Sequence, residues 1–174
     1  MRSIKVVNYN DQWPRIFEEE KEKLEAVLKV ELMEIYHIGS TSVPGLKAKP
    51  IIDIMPVVKN IEDVDRYEAE MAGLGYESLG ENGIAGRRYF RKGGDERSHH
   101  VHVFEEGSED ITRHLSFRDY LREHQEVRFH YENLKMKLAS EFPNDIGGYM
   151  DRKNQFIQET EQTAMIWYKD NKQK

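Results

Sequence analysis

Hydrophobic positions change their period along the chain, and each period predicts an element. Over 11–28 the apolar residues Trp13, Ile16, Phe17, Leu24, Val27 and Leu28 recur three or four apart and make one stripe, which predicts a helix. Asp11 is placed to cap it, Pro14 is tolerated in its first turn, and Glu18, Glu19 and Glu20 are expected on the solvated face. Segments 34–38 and 51–58 are short and rich in β-branched residues, and read as strands. A helix follows over 62–74, with Asn60 as cap and Gly73 and Gly75 ending it. Strand-like alternation returns over 76–79, 87–91 and 99–104, and the turn sequence GGDE joins the last two as an antiparallel hairpin. Helical spacing then takes over at 109–124, 126–140 and 148–168, broken by Phe142 and Pro143 and by Gly147 and Gly148.

An α/β half of about 1–107 is therefore followed by a helical half of about 108–174, with no linker between them. The expectation is one α+β domain over 1–174, with a mixed sheet packed on helices and a cleft between sheet and helical half. The 174 residues are 38% hydrophobic and 33% charged, and 26 Lys and Arg against 32 Asp and Glu give a formal charge of −6. A net acidic surface opposes non-specific nucleic-acid binding, although a local basic cleft is compatible with it. The absence of cysteine excludes disulfides, thiolate catalysis and cysteine-based zinc sites. No apolar run approaches a membrane span and the start carries no secretory h-region, so the expected location is the cytoplasm, with no membrane partner.

The densest chemistry lies in HIGSTSVPGLKAKPIIDIM, residues 37–55. Gly39 directly follows a strand, so the backbone can turn sharply and leave amides open. Ser40, Thr41 and Ser42 add hydroxyl donors, Lys49 adds a point charge in the same loop, and Asp53 emerges on the next strand as a hard oxygen ligand suited to Mg²⁺. Donors for a phosphate chain beside a carboxylate for its metal form the layout that phosphoryl or nucleotidyl transfer requires. Ordinary turn chemistry around a satisfied buried Asp53 is the alternative.

Five long motifs run in order through the chain: VNYNDQWPRIFEEE, HIGSTSVPGLKAKPIIDI, GRRYFRKGGDERSHHVHVF, RHLSFRDYLREHQEVRFHYENLKMKLA and GYMDRKNQFI. In these the chain resembles the GrpB family, small bacterial proteins with the nucleotidyltransferase fold, a module also found appended to some dephospho-CoA kinases. The resemblance implies a nucleotidyltransferase-like mixed sheet with a C-terminal helical half. It also implies a site where Gly-Ser is followed by two carboxylates on the next strand and a third on a later one, together holding two Mg²⁺ ions. Here Gly39 and Ser40 match and Asp53 matches the first carboxylate, but Met55 stands at the second, and a thioether cannot replace a hard anionic ligand. Lys135 and Lys153 match lysines of the family's helical motifs and are candidate phosphate contacts.

Further candidates surround this core. His100 and His102, two apart on one strand face, can bind Zn²⁺ or Mn²⁺ with Asp53 as third ligand, or act as ordinary strand histidines. In GRRYFRKG the pleat sends Arg88 and Phe90 to one face and Arg87 and Arg91 to the other, and Arg88 is the preferred phosphate contact. His114, Arg118 and Arg122 line one face of the 109–124 helix, either bordering the cleft or pairing with nearby acids in solvent. Tyr149, Phe156, Ile157 and Trp167 are expected to form the packing face of the helical half. The functional expectation is a nucleotidyltransferase-like protein that binds a nucleotide or related phosphorylated small molecule in a cleft, with Asp53 as the catalytic carboxylate if a nucleotidyl group is transferred. The alternative is a non-catalytic binding module with a degenerate metal site.

Overall fold

The computed structural model describes residues 5–172. Helix α1 spans Trp13–Leu28 and buries Trp13, Phe17, Glu20, Leu24 and Leu28, spaced three or four apart. Two sequence expectations change here. Asp11 does not cap the helix; the neighbouring Asn10 side chain accepts the Gln12 amide at 2.9 Å. Glu20 is 3% exposed, because the Tyr76 hydroxyl and the Lys92 ammonium both donate to it at 2.7 Å and satisfy its charge inside the fold.

Five strands follow: β1 Leu32–Ile38, β2 Ile52–Val58, β3 Tyr76–Ser78, β4 Arg88–Lys92 and β5 His99–Glu105. They form one mixed sheet in the order β1-β2-β5-β4-β3, with β2 and β5 parallel and the other neighbours antiparallel. The segment after β2 begins as a 3₁₀ helix, Ile61–Tyr67, with the Asn60 side chain accepting from the Glu62 amide, and becomes α-helical only as α2, Glu68–Gly73. Ile61, Asp63, Val64 and Asp65 are all weak helix formers, which accounts for the poor first turns. Helices α3 Glu109–Glu123, α4 Gln125–Glu141 and α5 Ile146–Lys172 complete the described chain. No described helix is long and apolar enough to cross a membrane.

The alternation along β2 and β5 sorts side chains onto two faces. Ile52, Ile54, Val101 and Val103 pack with Trp13, Phe17 and Leu24 of α1. Met55 and Phe104, with Ile38 of β1, pack under Leu115 of α3 on the opposite face. A third cluster joins Val43 and Leu46 of the β1–β2 loop to Phe117 and Leu121 of α3 and Tyr131 of α4. The loop between β1 and β2 thus sits between the sheet and the C-terminal helices, where the site is built.

Candidate functional site

Gly39 leaves β1 at φ +73°, and Ser40–Ser42 form a single 3₁₀ turn. Its neighbour Ile38 pairs with Asp53 across the antiparallel β1–β2 ladder. A Cβ at position 39 would fall 2.5 Å from Asp53 Oδ2, so glycine is required both by the backbone and by the carboxylate beside it. Thr41 and Ser42 are buried and spend their hydroxyls on the loop itself. Thr41 Oγ1 donates to the Ile51 carbonyl at 3.3 Å and meets His37 Nε2 at 2.9 Å, and Ser42 Oγ donates to the Gly39 carbonyl. Ser40 and Thr41 line the cavity, whereas Ser42 faces away from it.

The arginine stripe of α3 reaches this loop from behind. Arg122 donates twice to the Ser42 carbonyl, at 3.0 and 2.8 Å, and Arg118 donates to the His37 carbonyl at 3.3 Å. Both line a separate groove on the other side of the loop, so they brace the turn and do not enter the cavity. Arg88 is also elsewhere. It pairs with Val103 in the β4–β5 register, which puts it on the α1 face, and it forms an ion pair with Asp65 at 2.8 Å.

In front of the loop lies a cavity of about 210 Å³. Lys49 enters from the loop, Lys135 from α4 and Lys153 from α5, while Asp53 and His100 form the sheet side. The helical lysines are organised alike. Lys135 lies 4.5 Å from the ring centre of Tyr131, and Lys153 5.3 Å from that of Tyr149. A helical side chain leans toward the preceding turn, so Tyr-x-x-x-Lys places each ammonium over its own tyrosine. Lys49 lies over the same Tyr149 ring at 5.2 Å, and Lys135 also donates to the Lys47 carbonyl. Burial, reinforced by the neighbouring ammonium charges, draws Lys135 and Lys153 down to about 7. The Tyr149 hydroxyl is buried with no hydrogen-bond partner among the described residues, and burial pushes it up to about 12.

The sheet wall carries a carboxylate and two imidazoles. His100 pairs with Asp53 in the parallel β2–β5 register. Asp53 Oδ1 lies 3.4 Å from His100 Nδ1 and 3.1 Å from His102 Nε2. Burial alone would raise Asp53; hydrogen bonds and charge from the two histidines outweigh it and hold the acid well below the usual carboxylate range. Burial lowers His102, against the pull of Asp53. One ligand-type atom from each of Asp53, His100 and His102 lies within 4.8 Å of the other two, a spacing that can hold a metal ion. Met55 shares the face of Asp53, as a two-residue period demands, but is fully buried with Ile38, Phe104 and Leu115.

The structure therefore brings Gly39, Ser40, Thr41, Lys49, Asp53, His100, His102, Lys135 and Lys153 together, and leaves Ser42, Arg88, Arg118 and Arg122 outside the cavity. Sequence reasoning assigns Tyr149 to the packing face of the helical half, prefers Arg88 to Arg87, and does not single out Tyr131, whereas Tyr149 lines the cavity and Arg87 meets His102. The repeated Tyr-x-x-x-Lys at 131/135 and 149/153 is a legible signal for the tyrosines. Nothing local distinguishes Arg87 from Arg88.

Comparison with known proteins agrees with this architecture. A family model described as "GrpB protein" matches residues 3–163. The "UPF0157 protein YqkA" of Bacillus subtilis is 47% identical over 168 residues, covering 97% of this chain and 49% of the relative, so the chain spans about half the length of that relative. The "Glutamate-rich protein GrpB" of Alkalihalophilus pseudofirmus is 36% identical over 159 residues, covering 88% of this chain and 91% of its own. The crystal structure of GrpB from Enterococcus faecalis superposes with a TM-score of 0.91 at 45% identity, over 94% of this chain and 99% of that one. Cid1, in the complex with its short product ApU, superposes with a TM-score of 0.52 at 15% identity, over 78% of this chain and 43% of its own, a likeness of fold alone. With a nucleotidyltransferase-like fold in common with Cid1, and its sequence matched to the family across nearly its whole length, this chain belongs to the GrpB family.

Proposed function

We propose that the chain binds a nucleotide or a related phosphorylated molecule by its phosphates in the lysine-lined cavity. The observation that carries this reading is the convergence of Lys49, Lys135 and Lys153 on one small cavity whose acidic lining residue is Asp53. Buried ammonium groups raise the free energy of the free protein, and an anion between them relieves that penalty. Ligand pockets commonly enclose about 300–1,000 Å³. At about 210 Å³ this cavity suits the phosphate end of a ligand, with the rest of the molecule at its mouth. Cid1 has been described bound to MgATP and to a UTP analogue, which supports nucleotides as the first ligands to test.

The donors do not fit a pair of Mg²⁺ ions. Asp53 supplies one carboxylate, Met55 is sealed in apolar packing, and β5 brings imidazoles, which favour softer metals. Met55 is the specific observation that favours binding without two-metal nucleotidyl transfer. A single Zn²⁺ or Mn²⁺ is the metal class that Asp53, His100 and His102 suit.

Titration calorimetry with ATP and UTP tests the reading. Lys135→Met and Lys153→Met keep much of the side-chain bulk and remove the charge, and each is expected to weaken binding about tenfold or more, the scale of one charge-assisted hydrogen bond. Diphosphate release with Mg²⁺ is expected to stay at background. Unchanged affinity in a folded Lys135→Met/Lys153→Met double variant would sink the assignment.

A further inference from the structure

Arg87 precedes β4 and is 6% exposed. Its guanidinium is fixed on three sides. Nε donates to the Glu81 carbonyl at 3.1 Å, Nη2 to the Asn82 carbonyl at 2.8 Å, and the group lies 4.7 Å from the centre of the Tyr89 ring. That leaves Nη1 aimed at His102 Nδ1, 3.3 Å away, while the other nitrogen of the same imidazole faces Asp53 at 3.1 Å.

The chemistry of these groups determines the direction of the chain. Guanidinium has only donors, so Nδ1 of His102 must accept, and the ring proton then resides on Nε2, where it is donated to Asp53. A metal bound by Asp53, His100 and His102 needs the Nε2 lone pair and so moves the proton to Nδ1, directly against the Arg87 N–H. Metal-bound histidines almost always donate their second N–H to a carboxylate, a carbonyl or water. His102 faces a cation at that position, and His100 Nε2 is buried with no hydrogen-bond partner among the described residues.

We propose that Arg87 is a positioning residue that locks His102 in the tautomer donating to Asp53, and so keeps the Asp53–His100–His102 site closed to a divalent transition metal until its guanidinium lets go of Nδ1. The latch reaches the surface, because the carbonyls that hold Arg87 belong to Glu81 and Asn82, both exposed, in a loop of residues 80–86 that is exposed apart from the half-buried Ile84. Displacement of that loop releases the guanidinium and converts His102 from donor to ligand. The inference stands on hydrogen-bond direction and is independent of which phosphate ligand the lysine cavity takes.

Two measurements test it. In ¹⁵N-labelled protein without metal, the His102 ring is expected to show a protonated Nε2 and an unprotonated Nδ1; the opposite tautomer would overturn the proposal. In Zn²⁺ titrations against a competing chelator, Arg87→Met is expected to bind about 10- to 100-fold more tightly than the unmodified protein, the usual scale of an outer-shell contact. Adding His102→Ala is expected to remove the gain. Zn²⁺ binding by folded Arg87→Met no tighter than by the unmodified protein would also overturn it. Should Arg87→Met fail to fold, the tautomer measurement decides alone.

Discussion

Burying the ammonium groups of Lys135 and Lys153 near each other and near Lys49 draws both down to about 7, against about 10.4 for an exposed lysine. Between those values the unfolded chain holds protons that the folded chain does not, so the stability of the free protein rises with pH through this window. A phosphate ligand prefers the charged lysines, so binding takes up protons and affinity falls as the pH rises above about 7. Titrations from pH 6 to 9 in buffers of different ionisation heat measure both effects, and affinity rising with pH would contradict the arrangement. The residue types were legible, since Gly39, Ser40, Lys49 and Asp53 crowd one short segment and the two helical lysines stand in extended motifs. The choice between Arg87 and Arg88 was not. Alternation separates neighbours onto two faces, but only pairing with β5 tells which face meets the cavity.

At the scale of elements, β2 illustrates how two positions on one face acquire different fates. Asp53 lies at the open end of the strand beside Gly39, whereas Met55 lies one pleat further on, beneath Leu115 of α3. Met55→Asp is therefore expected to bury an unpaired charge and cost several kcal/mol, about 3–5, in denaturant unfolding, without creating a Mg²⁺ site in calorimetry. Helix α1 shows the converse case. Its buried positions run 13, 17, 20, 24 and 28, so Glu20 falls on the core stripe by spacing although its charge argues for solvent. Burial raises Glu20, but its hydrogen bonds to Lys92 and Tyr76 prevail and hold it below its ordinary value. Its contribution to stability is present above that ordinary value and is lost as the pH falls through the lowered one. Glu20→Ala leaves Lys92 and Tyr76 without their partner and is expected to cost about 3 kcal/mol in urea unfolding at pH 7. A cost near zero would mean that water replaces the carboxylate there.

For the molecule as a whole, two packing clusters join the α/β part to the helices. Leu115 of α3 seals the sheet over Met55, and Val43 and Leu46 of the β1–β2 loop insert among Phe117, Leu121 and Tyr131. Neither part can bury these residues without the other, so the chain is expected to unfold in one transition. Trp13 reports from α1 and Trp167 from α5, which makes the test direct. In Trp167→Phe, the urea midpoint from Trp13 fluorescence should coincide with that from far-ultraviolet circular dichroism, which follows the helices. Separated midpoints would show two units.

Local sequence by itself determined the class and order of the elements, because helix and strand periods, turn glycines and the Asn60 cap act within a few residues. It also placed Gly39, Ser40, Lys49 and Asp53 in one short segment, although what sets Gly39 beside Asp53 is the antiparallel pairing of Ile38 with Asp53 across a loop of residues 39–51. Tertiary structure alone decided that Lys135 and Lys153 meet them, that Arg118 and Arg122 brace the loop from behind, that Arg87 reaches His102, and that Met55 is sealed while Asp53 stays open. These outcomes depend on sheet register and on where α3 and α5 dock. Both are set by burial summed over residues far apart in the chain, which no local pattern contains.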